Sequence, residues 1–125
     1  MVARLLFIAT VLAAAVFSAT VKVANTMGRG VTVKASCASV HPAGNSRQKT
    51  LKNGGNLLYD FAPQPDDCAL DVWCDVNSSN GKGHTFTAIS GCPGPFDFQL
   101  GFFLRGDGIY KGSFDGSNLA KWIAW

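Results

Sequence analysis

The stretch that decides the fold is ALDVWCDV, residues 69–76, in which apolar and polar side chains alternate. One side of this stretch, in an extended chain, carries only apolar or thiol groups: Leu70, Val72, Cys74 and Val76. The other side carries Asp71, Trp73 and Asp75. Because successive side chains of a strand point to opposite faces, this alternation predicts a strand with one buried face and one solvated face.

Similar runs lie on both sides of residues 69–76, separated by short segments rich in Gly, Asn, Asp and Pro. No apolar pattern of helical period extends over a useful length beyond residue 20. The predicted strands are residues 20–25, 31–37, 57–62, 69–76, 84–90, 98–105, 108–112 and 119–125. Seven to eight short strands with turn residues between them predict an all-β fold, a small antiparallel β-sandwich of two sheets.

The first 19 residues have a different character from the rest of the chain. Arg4 precedes an apolar run over residues 5–17, and the small residues Ser18 and Ala19 follow it. This order is typical of a secretory signal peptide, and the run is shorter than the roughly 20 residues that span a bilayer. We therefore expect a cleaved signal over residues 1–19, a secreted domain over residues 20–125 and no stable membrane insertion. An uncleaved anchor is the alternative.

Four cysteines, Cys37, Cys68, Cys74 and Cys92, remain after the predicted signal. An even number in a small exported domain predicts two disulfides. Cys68 and Cys74 are too far apart along an extended strand to pair, so each is expected to bond to Cys37 or Cys92. Cys37 and Cys74 both fall on apolar faces, which favours a Cys37–Cys74 bond across the core and leaves Cys68 to pair with Cys92. Zinc ligation is disfavoured by the cysteine spacing, and we expect no metal and no cofactor.

Two polar segments, residues 38–56 and 77–83, are predicted to be loops on the rigid sandwich, where binding residues are common. The candidate contacts with a partner are Arg47, Lys49, Lys52 and Lys82. Asn77 begins an Asn-Ser-Ser sequence that can accept an N-linked glycan in an exported loop. Without Arg4, ten Lys and Arg face eight Asp, which is too weakly basic to predict a nucleic-acid partner.

Arg105-Gly106-Asp107 matches an adhesive tripeptide, but its neighbours predict a different role. Apolar alternation runs up to Arg105 and resumes at Ile109. Asp107-Gly108 suits a tight hairpin turn between two strands, because Asp-Gly supplies the positive φ that such turns require. The tripeptide is therefore predicted to be a hairpin turn, and adhesion is the alternative.

The segment FFLRGDGIYKG, residues 102–112, also resembles a segment near the C-terminus of the plant self-incompatibility proteins, or S-protein homologues. In that family a Trp-containing strand is followed by Arg, a variable residue, Asp-Gly, an aliphatic residue and Tyr. Other segments resemble the family in the same order along the chain: residues 21–25, 35–39, 53–55, 59–61, 72–74 and Trp125. The chain departs from the family pattern at Ser36, which is usually His, and in the positions of Cys68 and Cys92.

This resemblance implies a secreted, non-enzymatic recognition protein that acts by binding a cell-surface receptor. Catalysis is disfavoured because there is no nucleophile elbow, and the carboxylates of Asp71 and Asp75 flank Trp73 on a predicted solvated face. Two alternatives come from other classes. One is a secreted effector or toxin that acts on target cells or membranes, and the other is a carbohydrate-binding module that uses Trp73 and Tyr59 to bind a glycan.

Overall fold

A computed structural model of the protein describes residues 19–41, 46–62, 68–92 and 98–125. The described residues contain nine β-strands and no helix. The strands are β1 (Ala19–Asn25), β2 (Val33–His41), β3 (Arg47–Leu51), β4 (Asn56–Phe61), β5 (Leu70–Ser78), β6 (Gly83–Gly91), β7 (Phe98–Arg105), β8 (Gly108–Gly112) and β9 (Ala120–Ala124). The predicted all-β fold is therefore confirmed.

The nine strands form two sheets. The five-stranded sheet has the order β4-β1-β7-β8-β9, and the four-stranded sheet has the order β3-β2-β5-β6. Neighbouring strands are antiparallel except for β1 and β7, which run parallel from Ala19 opposite Phe98 to Asn25 opposite Leu104. This pair departs from the predicted antiparallel pattern. No hairpin joins β1 to β7, so no turn constrains them to run in opposite directions.

The core lies between the two sheets, where the inward faces of their strands meet. Phe86 of the four-stranded sheet packs against Phe102 of the five-stranded sheet with ring centroids 4.9 Å apart. A buried hydrogen bond of 2.7 Å also joins the hydroxyls of Ser39 and Tyr59 across the core. In β5 the inward face consists of the predicted residues, all buried: Leu70, Val72, Cys74 and Val76. The sandwich is thus built on the alternation seen in the sequence.

Residues 38–56 are not one loop, and this part of the prediction is wrong. β2 continues to His41, and β3 occupies Arg47–Leu51. Only Leu51 of β3 is buried. β3 is an edge strand that pairs with β2 alone, so four of its five side chains face solvent and the sequence shows no alternation there.

Both favoured disulfides are present: Cys37 bonds to Cys74 and Cys68 bonds to Cys92. Cys37 and Cys74 are direct neighbours on β2 and β5, so their bond lies within the four-stranded sheet. The prediction that this bond would cross the core is therefore wrong. The described chain has no free cysteine.

The predicted signal peptide lies outside the described residues apart from Ala19, which begins β1. In the described ranges there is no helix with the length and apolar character needed to cross a bilayer. The compact, doubly disulfide-bonded domain is compatible with an extracellular environment.

Candidate functional site

Asn25, at the end of β1, holds together the connections at one end of the sandwich. Its side chain is fully buried, and its Nδ2 donates hydrogen bonds to the carbonyl oxygens of Val31, at 2.9 Å, and Leu51, at 3.0 Å. Its Oδ1 accepts a hydrogen bond of 3.1 Å from the N–H of Met27. One side chain therefore ties the β1–β2 connection to the end of β3.

Four connections meet at this end, which we call the loop end: residues 26–32, 52–55, 79–82 and 106–107. Backbone hydrogen bonds join them to one another and to the strand ends. The N–H of Gly54 donates to the Asn25 carbonyl at 2.8 Å, and the N–H of Ser79 donates to the Thr32 carbonyl, also at 2.8 Å. The Thr26 N–H donates to the carbonyl of Leu104 at 3.0 Å. The loop end is consequently a connected surface on a rigid scaffold.

Each connection of the loop end contains or adjoins one exposed cationic side chain: Arg29, Lys52, Lys82 and Arg105. In the described part of the chain none of these four has a carboxylate partner. The Arg105 guanidinium instead lies over the ring of Tyr110, 4.4 Å from its centroid. Unpaired cations at one end of a small domain produce a positive potential there.

Arg105-Gly106-Asp107 lies in a hairpin between β7 and β8, as predicted, and its carboxylate is already engaged. Asp107 Oδ2 forms an ion pair of 3.0 Å with Lys121 Nζ and accepts a hydrogen bond of 2.8 Å from Tyr110. The hydrogen bond from Lys121, followed by that from Tyr110, holds the pKa of Asp107 below its usual value. Of the turn residues only Gly108 has a positive φ, of 156°. This geometry does not present a free adhesive loop.

The predicted contact residues fall into three separate places. Lys52 and Lys82 lie at the loop end, where the structure brings them together with two cations that sequence reasoning missed. Arg47 and Lys49 lie on the edge strand β3. Trp73 lies on the outer face of the four-stranded sheet and is 37% exposed. The predicted residues therefore do not form a single site.

The outer face around Trp73 is a solvated sheet surface with local hydrogen bonds. Asp75 accepts bonds from Thr85 Oγ1, at 2.6 Å, and from Asn77 Nδ2, at 3.0 Å. Asn77 is exposed and belongs to β5, not to the predicted loop over residues 77–83. Its glycosylation stays a prediction. Both oxygens of the Asp75 carboxylate therefore accept hydrogen bonds from neighbours on the sheet.

A concave surface, separate from the loop end, opens between β6 and β9, the edge strands on the same side of the two sheets. This β6–β9 cleft has a volume of about 520 Å³, within the range of small-molecule sites. Its lining residues are Thr87, Ala88, Ile89, Ser90, Cys92, Leu100, Lys111 and Trp122. Sequence reasoning assigned no role to Lys111 or Trp122. The aromatic residues near the C-terminus were the available signal, but the pairing of the strands was needed to place them.

Comparisons of the chain with protein-family models, with curated proteins and with solved structures found no match. The resemblance to the self-incompatibility family therefore rests on the sequence segments alone. Among the residues that the structure describes, no group of three or more His, Cys, Asp or Glu side chains is placed to hold a metal ion.

Proposed function

We propose that this chain is a secreted, non-enzymatic recognition protein whose loop end binds an acidic receptor on a cell surface. The observation that carries the proposal is the set of four exposed cations on or beside connections that hydrogen-bond to one another or to neighbouring strand ends: Arg29, Lys52, Lys82 and Arg105. The sequence resemblance to self-incompatibility ligands supports the same function, since those proteins act through a receptor.

Two properties of the loop end favour recognition. First, its cations are not neutralised by described carboxylates, so their field is available to a partner and accelerates encounter with an acidic surface. Second, the buried Asn25 side chain fixes the connections before any partner arrives. Pre-organised binding loops lose less conformational entropy on association, which leaves more of the contact energy as affinity.

The decisive experiment compares two pairs of charge reversals in the exported protein. Lys52→Glu with Lys82→Glu changes the loop end, whereas Arg47→Glu with Lys49→Glu changes β3 by the same amount of charge. Fluorescently labelled protein is titrated onto cells of the source organism, with and without prior protease treatment of the cells. We expect the loop-end pair to weaken saturable binding roughly tenfold or more and the β3 pair to weaken it less than roughly threefold.

Protease treatment of the cells should abolish this binding, because the proposed receptor is a cell-surface protein. Equal losses from the two pairs of reversals would contradict the proposal, because attraction would then depend on total charge and not on the loop end. Binding that survives protease treatment would also contradict it. Circular dichroism of both variants establishes that neither pair of substitutions disturbs the fold.

The same proteins also test the effector alternative. Release of contents from anionic lipid vesicles, at concentrations that saturate cells, would support a membrane-active effector. Intact vesicles together with saturable binding to protease-sensitive sites would support the receptor ligand.

A further inference from the structure

The β6–β9 cleft carries an inference separate from the loop end. Its lining combines an indole ring, an amine and aliphatic side chains within about 520 Å³. Leu100 and Ile89 contribute apolar surface, and Thr87 and Ser90 border the cleft along β6. An apolar wall with a few polar groups is the usual composition of a site for a small ligand.

Trp122 is a partly exposed ring with fixed packing. It is 41% exposed, yet its ring packs edge-on against Phe86, with centroids 5.6 Å apart. It also contacts the buried Phe102 at a centroid distance of 5.4 Å. These two contacts hold the indole in place, so a ligand that stacks on it does not have to order it first.

Lys111 lies on β8 opposite Phe102, which places it on the inward-facing side of the five-stranded sheet. Its Nζ lies 5.1 Å from the Trp122 ring centroid and 5.9 Å from that of Phe102. In the ranges the structure describes, no carboxylate pairs with this amine. An amine held against aromatic rings and free of an anionic partner is available to a ligand carboxylate.

We propose that the β6–β9 cleft binds an acidic saccharide, with one hexuronic acid unit stacked on Trp122 and its carboxylate paired with Lys111. The C–H face of a pyranose ring supplies apolar surface for the exposed indole. The cleft volume is sufficient for a short oligosaccharide.

The test uses the 1,4-linked trimer of glucuronic acid and, as a ligand of the same shape without charge, its methyl ester. Binding is followed by NMR through the indole N–H signals of the protein's three tryptophans, assigned by substitution, and by calorimetry. We expect the trimer to shift the Trp122 signal saturably, and we expect the ester to bind roughly tenfold more weakly or worse. Raised salt should weaken the binding of the acid more than that of the ester.

Trp73→Ala is the matched control for Trp122→Ala, since the two indoles are 37% and 41% exposed. Trp122→Ala should abolish binding of the trimer, and Trp73→Ala should leave it unchanged. Because Trp122 also packs on the core, Lys111→Gln provides a milder test, with an expected loss of roughly tenfold. Lys52→Glu with Lys82→Glu should not alter this binding, which separates the cleft from the loop end.

An inward-pointing lysine beside open strand edges can also serve only to prevent edge-to-edge pairing. In that case Lys111→Gln would promote self-association and leave the affinity for the trimer intact, which would overturn the proposal. Equal binding of acid and ester, loss of binding on Trp73→Ala, or no shift of the Trp122 signal at any trimer concentration would overturn it as well.

Discussion

Replacement of Asn25 by Ala should destabilise the domain far more than replacement of an exposed asparagine. The change removes a fully buried hydrogen bond to the Leu51 carbonyl and two partly buried ones, to the carbonyl of Val31 and from the N–H of Met27. A buried group left without a partner costs about 1–3 kcal/mol, and a group that water can reach costs less. We expect the loss of these three hydrogen bonds to lower the free energy of unfolding by about 3 kcal/mol, which is a large part of the stability of a typical domain.

The measurement is equilibrium unfolding in urea under non-reducing conditions, fitted for both midpoint and slope. Asn53→Ala is the control, because Asn53 Oδ1 accepts only an exposed hydrogen bond from the N–H of Gly28, at 3.2 Å. That substitution should cost less than about 1 kcal/mol. Hydrogen exchange should also quicken at residues 26–32 in the Asn25 variant. A loss below about 1 kcal/mol for Asn25→Ala, or equal losses for both, would refute the role of Asn25 in holding the loop end.

Two further predictions concern the β7–β8 turn. Gly108→Ala should lower the unfolding midpoint, since an added Cβ would lie 2.2 Å from the Ile123 carbonyl oxygen and force β8 and β9 apart. Gly106→Ala is the control, because the space around Gly106 is open. Equal midpoints for the two variants would contradict this prediction. Lys121→Met should raise the pKa of Asp107, followed by NMR of its carboxyl carbon. The pKa of Asp107 is lowered in the folded state, so its ionised carboxylate stabilises the fold at pH values above the unfolded-state pKa. This stabilisation is lost as the pH falls through the folded-state pKa of Asp107. An unchanged pKa in the variant would contradict the ion pair.

The sequence predicted those strands that have one face in the core. Residues 98–105 and 108–112 were bounded correctly, because apolar residues recur at every second position from Phe98 to Leu104 and a two-residue turn separates β7 from β8. β3 was missed because an edge strand needs backbone pairing on one side only and can be polar on both faces. The parallel pairing of β1 with β7 was also missed, since no local signal specifies which distant strand completes a sheet.

The candidate sites were less predictable than the fold, because each depends on residues that the topology brings together. Lys52 and Lys82 were proposed as contacts, but Arg29 and Arg105 could join them only once the strand directions were known. Lys111 lies in the short strand β8. The alternation of apolar and polar residues in that strand does not predict which surface the lysine belongs to. The contact between Lys111 and Trp122 depends on the pairing of β8 with β9 and on the β-bulge that follows Ile109 in that pairing.

The charge of the loop end follows from strand direction and not from composition. β1, β3, β5 and β7 all run toward this end, and each is followed or terminated there by one cation: Arg29, Lys52, Lys82 and Arg105. In the sequence these residues are far apart and form no charged run, so the small net charge does not indicate that they share one end of the sandwich. An acidic surface would therefore meet the loop end first. The β6–β9 cleft includes Ser90 and Leu100, which lie toward the opposite end of their strands, and Cys92, which follows β6, so the cleft is a surface distinct from the loop end.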